Sequence, residues 1–294
     1  MSERTGASVR FDSLTVRYPQ SDRAAVDGVC LDVPAGSFTV VLGPSGCGKS
    51  TLLRSVNRLV EPTAGRILFD GADVSVGDPV ELRRGIGYVI QAVGLFSHMT
   101  VAQNVAVVPR LLGWDQPRID ARVDELLALV GLDPQRYRGR YPRALSGGEA
   151  QRIGVARAIA AQPRVLLMDE PFGAVDAIVR ARLQDETRRI ASELKTTILF
   201  VTHDVDEALR LADRIVVMRD GKIEQAGTPF DVLTAPATPY VASLLGAGQT
   251  ISAGASAAEI LAAFAGGAQR LIVRDGTRAG TLTFADLRAS DESP

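Results

Sequence analysis

The chain has 294 residues, 46% of them hydrophobic, which marks a globular protein with one large domain and an appendage, or two domains of ordinary size. Its 33 basic and 34 acidic residues leave a formal net charge of −1, so no global basic field draws it to nucleic acid or anionic lipid. Two cysteines, Cys30 and Cys47, offer neither a metal-ligand spacing nor a secreted disulfide framework, which fits a reducing compartment such as the cytosol.

From Val9 to Val41 apolar and polar residues alternate between turn signals (SVRFDSLTVRYP, AVDGVCLDVPAG, SFTVVLG), which predicts strands. A Gly-rich loop from Gly43 to Gly48 then opens a helical pattern, STLLRSVNRLV, that stops before Glu61-Pro62. Strand, loop and helix follow in the order a phosphate-binding unit requires. Between about Gln91 and Leu145 the pattern turns helical, with VDELLALVGL the clearest periodicity, and predicts a helical subdomain. From Val165 onward apolar runs (VLLMDE, TTILFVTHD, RIVVMRDG) alternate with helical stretches (VRARLQDETRRIASEL, DVDEALRLA), as in a parallel α/β sheet. MRDGKIEQAG reads as a hairpin with Asp-Gly at its turn. Near Leu245 the composition shifts to Gly, Ala and Ser: GAGQTISAGASAAE suits a linker. A helix (AAEILAAFAG), a strand (QRLIVRD), a turn at Gly276 and a strand (AGTLTFADL) follow it.

Three segments carry the chemistry. Gly43-Pro44-Ser45-Gly46-Cys47-Gly48-Lys49-Ser50 fits GxxxxGK[ST], with Thr51 next along the helix. The glycines let backbone N–H groups converge on phosphate oxygens, and the helix near Lys49 presents its positive dipole end. Lys49 reaches the β and γ phosphates, and Ser50 can ligate Mg²⁺. The second segment, Val165 to Glu170, is an apolar strand ending in two acids. A buried strand delivers Asp169 rigidly to Mg²⁺, and Glu170 beside it can polarise an attacking water. A strand ending in acids is ordinary by itself; behind the Gly-rich loop it is the expected second half of a nucleoside triphosphatase. The third, Leu145-Ser146-Gly147-Gly148-Glu149, puts a serine and two glycines before the helix EAQRIGVARAIA, and so offers another anion-binding helix N-terminus. Ser146 and Glu149 also have the spacing of a capping box.

With these segments the chain resembles the ABC ATPase family, whose signature LSGGQ stands here as LSGGE. The resemblance covers about Val9 to Gly246. It implies an α/β P-loop fold with a parallel α/β core, an antiparallel β subdomain and a helical subdomain at about 92–150, all within an ATPase domain over 1–246. A linker and a short α+β appendage would occupy 247–294. The resemblance further implies that Tyr18 stacks on adenine, that Gln91 is the Q-loop glutamine and a Mg²⁺ contact, that Asp176 is the D-loop aspartate and that His203 is the switch histidine. Each has a plain local alternative: a strand aromatic, a surface polar residue, a cap, a strand-end residue. A head-to-tail homodimer sandwiching two ATP molecules is implied as well. Each site would take Lys49, Ser50, Gln91, Asp169, Glu170 and His203 from one subunit and Ser146, Gly147 and Gly148 from the other. Glu149 places an acid where the signature has a neutral side chain; turned away as a capping-box partner, it is expected to leave activity intact.

NRLVEPTAGRILFDG, RRGIGYVIQAVGLFSHMTVAQNV, LVGLDPQRYRGRYPRALSGGEAQR and LLMDEPFGAVDAIVRARLQ look most like ATPase subunits of bacterial osmoprotectant importers, which carry glycine betaine, carnitine, choline or proline. That implies an integral membrane permease, an extracytoplasmic solute-binding protein and a place on the cytoplasmic face of the inner membrane. Met1 to Arg10 lacks an apolar leader, and no apolar run approaches the roughly 20 residues that span a bilayer, so the permease would hold the chain there. Within Val93 to Val101, where such permeases dock, Leu95, Phe96 and Met99 are expected as exposed apolar contacts, or else as core residues of the helical subdomain. The end of the chain resembles one abbreviated CBS motif. Its Ile260, Leu261, Phe264, Leu271, Ile272, Val273, Leu282 and Phe284 would pair across a two-fold axis or pack on their own cassette. Another cargo, an amino acid or sulfonate, and a non-transport ABC ATPase are the competing readings.

Overall fold

The apolar alternation at the amino end becomes an alternation of burial. In β1 (Val9–Val16) the residues Val9, Phe11, Leu14 and Val16 are buried, and the longer step from Phe11 to Leu14 is absorbed by a bulge at Ser13, whose φ is 50°. β2 (Val26–Val33) pairs with it, β3 (Phe38–Leu42) departs into a second sheet, and β4 (Ala64–Phe69) and β5 (Ala72–Asp73) complete an antiparallel sheet in the order β2-β1-β4-β5. The structure, a computed structural model, describes residues 6–91, 94–173, 177–246, 249–256, 258–260, 263, 270–275 and 278–283.

The second sheet joins β3 to β6 (Ile86–Val89), β7 (Val165–Asp169), β8 (Thr197–Thr202), β9 (Arg214–Arg219) and β10 (Lys222–Gly227), in the order β10-β9-β3-β8-β7-β6. All neighbours are parallel except the β9–β10 hairpin, which turns at Asp220 and Gly221 with φ of 48° and 81°. Every residue of β3, β7 and β8 is buried. Val40, Leu42, Leu166, Met168, Ile198 and Phe200 feed one core; Val41, Val165, Leu167, Leu199 and Val201 feed another on the opposite face. Helices cover the first, whereas the antiparallel sheet and α1 (Lys49–Val56) cover the second. Each fully buried aliphatic side chain contributes about 1.5–3 kcal/mol, so a sheet covered on both faces accounts for the uninterrupted apolar runs.

α1 ends short of the apolar pattern that extends to Val60. Asn57 closes it, Arg58 takes a left-handed φ of 54°, and the N–H groups of Leu59 and Val60 return to the Arg54 carbonyl at 3.0 and 3.2 Å. α2 (Pro79–Arg84) precedes β6. The helical region holds α3 (Val101–Val105), α4 (Val107–Leu111), α5 (Gln116–Leu129), α6 (Pro134–Tyr137) and α7 (Gly147–Ile159). Thr100, Asp115, Asp133 and Ser146 cap α3, α5, α6 and α7. The periodicity of α5 and the turn after it buries Val123, Leu126, Leu127 and Val130. Two backbone bonds fasten the start of α3 to the segment beyond α6: Val101 N–H to Arg140 O at 2.8 Å and Ala102 N–H to Arg138 O at 3.1 Å. α8 (Ala177–Leu194), α9 (Val205–Leu211), α10 (Pro229–Thr234) and α11 (Pro239–Leu245) complete the set. Among the described residues no helix is long and apolar enough to cross a membrane.

Past Leu245 the structure departs from the expected linker. GAGQTISAGASAAE contains β11 (Gln249–Ser252), which lies parallel to β12 (Arg270–Asp275); β13 (Arg278–Thr283) then returns antiparallel. The β-branched pair Thr250-Ile251 outweighs its small-residue flanks because β12 offers it a ladder. Leu271 is fully buried, Ile272 joins the helix-covered core, and α10 packs on β13. Leu271 and Ile272 are therefore covered within one chain, without a second copy. Leu261, Phe264, Gly276 and Phe284 lie outside the described residues.

Ile272→Ala should lower the stability of the whole chain by about 2–4 kcal/mol, because it opens a hole in the shared core. Urea unfolding followed by the fluorescence of Trp114, the single tryptophan, checks this. An unchanged midpoint would show that the appendage folds independently of the cassette.

Candidate functional site: a phosphate loop and a carboxylate at one sheet edge

In a parallel sheet all strands finish at one edge, and the loops beyond that edge meet where the strand order reverses. Here β3, β6, β7 and β8 end together. The loop 43–48 follows β3, Gln91 follows β6, Asp169 and Glu170 end β7, and His203 follows β8.

The loop is shaped by close approach. A side chain at Gly43 would overlap the Met218 carbonyl oxygen, and one at Gly48 the Ala25 carbonyl oxygen; Gly48 also has φ of 107°. Gly46, at φ 79°, has open space around it. Lys49 is only 5% exposed, and its ammonium donates to Gly43 O at 2.8 Å and Pro44 O at 2.9 Å, which brings the cation into the concavity of the loop. Pro44 and Ser45 form the outer, exposed part of the loop. Cys47 is buried with its carbonyl accepting from Gly221 N–H, and burial pushes its thiol pKa up, so it stays a neutral packing residue. Tyr18, 41% exposed, bonds through its hydroxyl to Thr51 Oγ1 at 3.2 Å, leaving an aromatic face open beside the loop.

Asp169 is 2% exposed and needs partners. Ser50 Oγ donates to its Oδ1 at 2.7 Å, and Arg54 lies 3.4 Å from Oδ2. Arg54 is held protonated, first by a hydrogen bond to Tyr88, whose hydroxyl pKa is itself raised by burial. Next in the chain, Glu170 takes a left-handed φ of 44°, a conformation that costs on the order of 1–3 kcal/mol for a side-chain-bearing residue. Its N–H is fixed by Val201 O at 3.0 Å. Gln91 Nε2 donates to Glu170 Oε2 at 3.2 Å, and His203 Nδ1 lies 3.3 Å from Oε1. Two residues from the ends of β6 and β8 thus converge on one carboxylate at the end of β7.

Two acids that the sequence left unmarked follow His203 in the chain and fix the start of α9 beside it. Asp204 caps α9, accepting from Asp206 N at 2.8 Å and Glu207 N at 3.2 Å. Glu207 is buried, which pushes its carboxyl pKa up, and accepts from Thr202 Oγ1 at 2.6 Å and Gln184 Nε2 at 3.4 Å. The D-x-x-E spacing after His203 was the available signal.

Ser50 and Asp169 offer oxygen ligands side by side, and Gln91 adds an amide. No group of three His, Cys, Asp or Glu side chains that could hold a metal occurs among the described residues. A donor set this sparse fits Mg²⁺, which takes one or two protein oxygens and fills its octahedron from phosphates and water.

The remaining candidates lie apart. Ser146, Gly147 and Gly148 open α7, and no hydrogen bond or ion pair among the described residues joins them to the loop 43–51. Glu149 does turn back as a capping-box partner: Ser146 N–H donates to Glu149 Oε2 at 2.7 Å and Glu149 N–H to Ser146 Oγ at 3.3 Å. Asp176 falls outside the described residues. Of the three expected apolar contacts only Phe96 is exposed, at 42%; Leu95 packs on the helix-covered core and Met99 is half-buried. The cause is Asn104, fully buried, which accepts from Phe96 N and donates to the carbonyls of Phe96, Met99 and Thr100 at 2.8 to 3.2 Å, curling the segment inward.

A family profile described as ABC transporter matches residues 26–173. The glycine betaine/carnitine/choline transport ATP-binding protein OpuCA of Bacillus subtilis is 52% identical over 224 residues, 76% of this chain and 59% of that protein. The glycine betaine uptake system ATP-binding protein YehX of Escherichia coli is 53% identical over 222 residues, 76% of this chain and 72% of that protein. The chain thus spans about three-fifths of the length of the first. Among solved structures, the dimeric ATP-binding cassette MJ0796, in a post-hydrolysis state bound to ADP and Pi, matches with a TM-score of 0.68 and 29% identity over 75% of this chain and 98% of that one.

Gly48→Ala should weaken phosphate binding by roughly tenfold or more, because the added methyl must displace the Ala25 backbone and strain the loop. Titration with a fluorescent nucleoside triphosphate, beside a thermal melt to confirm folding, measures the loss. Unaltered affinity would count against the loop as the phosphate cradle.

Proposed function

The chain belongs to the ABC transporter family, and we propose that it binds and hydrolyses ATP to drive import of an osmoprotectant, such as glycine betaine, carnitine, choline or proline, through a separate permease. Its fold is the α/β P-loop fold of the ABC ATPases, a parallel core with an antiparallel sheet and a helical region beside it. The observation that carries the proposal is the convergence of Gln91 and His203 on Glu170, one residue beyond the Asp169 that Ser50 contacts.

The geometry supports the following roles. Gly43 to Thr51 wraps the phosphates, Lys49 offsets charge on the β and γ groups, and Tyr18 supports the adenine. Ser50 and Asp169, with Gln91, would hold Mg²⁺, which when bound would supply charge neutralisation at the phosphates. Glu170, contacted by Gln91, accepts a proton from water as the water oxygen bonds to the γ phosphorus and ADP leaves, while His203 contacts the γ phosphate. Ser146, Gly147 and Gly148 make no hydrogen bond to their own loop among the described residues, which supports a head-to-tail homodimer in which each α7, together with Asp176, closes the partner's site. ATP then favours closure and hydrolysis releases it. The OpuCA and YehX names, a transport and an uptake-system ATP-binding protein, support the cargo class and a permease. A solute-binding protein outside and a place for this chain on the cytoplasmic face belong to the same proposal. Phe96 supplies the exposed apolar contact for the permease.

Glu170→Gln should lower turnover about 100-fold or more while ATP still binds and drives dimerisation. Phosphate release beside sizing chromatography with ATP checks both halves. Turnover close to that of the unaltered chain would remove Glu170 from the role of base.

Phe96→Asp should leave basal hydrolysis by the isolated chain intact and cut co-purification with the permease, since a desolvated charge there is unfavourable. Uptake of labelled glycine betaine, carnitine, choline and proline should fall with it. If all four uptakes persist in cells deleted for this chain, the cargo class is wrong.

A further inference from the structure

The signature helix of this chain begins with an acid problem. Glu149 sits in the first turn of α7, beside the Ser146 hydroxyl and the Gly147 and Gly148 N–H groups that, on the composite-site reading above, meet the partner's γ phosphate. A carboxylate free to swing over that end would be stabilised by the helix dipole and would compete with the phosphate for the same donors. It would also repel the phosphate by charge.

The structure shows what stops it. Glu149 Oε2 is taken by Ser146 N–H at 2.7 Å, and Oε1 accepts the hydroxyl proton of Tyr137. Tyr137 belongs to a different helix, α6, and its ring packs on the helix-covered core with the Arg140 guanidinium 4.4 Å from the ring centre. The Glu149 carboxyl is held below the usual carboxylate range, by the Tyr137 hydroxyl first and then by Ser146 N–H. The acid is therefore ionised, yet both oxygens are engaged, Oε1 by α6 and Oε2 by the N-cap backbone of α7. Meanwhile Ser146 Oγ accepts from Glu149 N–H, which leaves its own proton available to a phosphate.

We propose that Tyr137 is a positioning residue for the composite ATP site: by binding Glu149 Oε1 it keeps the carboxylate off the phosphate-facing end of α7, so that an LSGGE signature can serve as an LSGGQ signature does. Capping alone uses only one carboxylate oxygen; the second needs Tyr137. The proposal rests on the trans role of Ser146 to Gly148 stated above.

The test uses the full chain in the Glu170→Gln background, where ATP-driven dimers accumulate, and reads the ATP concentration for half-maximal dimerisation by sizing chromatography with light scattering. Tyr137→Phe keeps the ring and removes only the hydroxyl. It should raise that concentration about tenfold, while binding of a fluorescent ATP analogue to the monomer and the melting temperature stay close to those of the parent. Adding Glu149→Gln to Tyr137→Phe should restore dimerisation to within about twofold of the parent, because the charge that needed restraint is gone. Rescue is the decisive readout, since a packing defect at Tyr137 would not be repaired at Glu149. Unimpaired dimerisation by Tyr137→Phe, or a defect that Glu149→Gln leaves in place, overturns the proposal. If the parent itself forms no dimer with ATP while the monomer binds nucleotide, the composite-site reading falls, and the role of Tyr137 with it.

Discussion

A carboxylate at the end of a strand with no exposed residue cannot be left without partners, and Asp169 is that carboxylate. Its oxygens are satisfied by Ser50 Oγ and Arg54, both on α1. One buried charge therefore fastens α1 against the end of β7, which in turn draws the Gly-rich loop across the sheet edge. The glycines make that approach sterically feasible at Met218 and Ala25. Glu170 inherits its place from the same constraint: it is the first residue beyond the fixed acid, turned by a left-handed φ toward Gln91 and His203. Nothing in this arrangement needs long-range steering by net charge, which is close to zero.

Parts of this were legible in the amino-acid sequence because local and global demands agree. The runs VLLMD and TILFVT are continuous because both faces of their strands are buried, and Asp220-Gly221 has the turn chemistry its hairpin demands. The stretch 64–89 was not resolved into elements, since β4 buries only Ile67 fully, β5 is two residues long and α2 buries none. β11 was taken for a linker because its strand character comes from a ladder supplied about twenty residues later, which composition does not report.

Of the site, the loop and the two acids could be read from chemistry at a fixed spacing. Gln91 and His203 could be named only by order along the chain; what places them together is the strand order β3-β8-β7-β6, a long-range fact. Arg54, Tyr88 and Glu207 went unseen for the same reason, each significant only through a partner remote in sequence or hidden from solvent. Leu95 and Met99 were misjudged as exposed because their direction is decided by Asn104, a polar residue whose four hydrogen bonds are invisible to any apolar periodicity.

The two backbone bonds from Val101 and Ala102 to Arg140 and Arg138 have a mechanical corollary. They lie between the curled segment that displays Phe96 and the helix α6 that ends at Tyr137, and they join backbone to backbone. The two ends are consequently joined through the main chain, so a displacement of one that keeps both bonds carries the other with it. Thermodynamic reciprocity sets the condition on any coupling through this path: if binding at Phe96 changes affinity at the end of α7 by some factor, binding at the end of α7 changes affinity at Phe96 by the same factor.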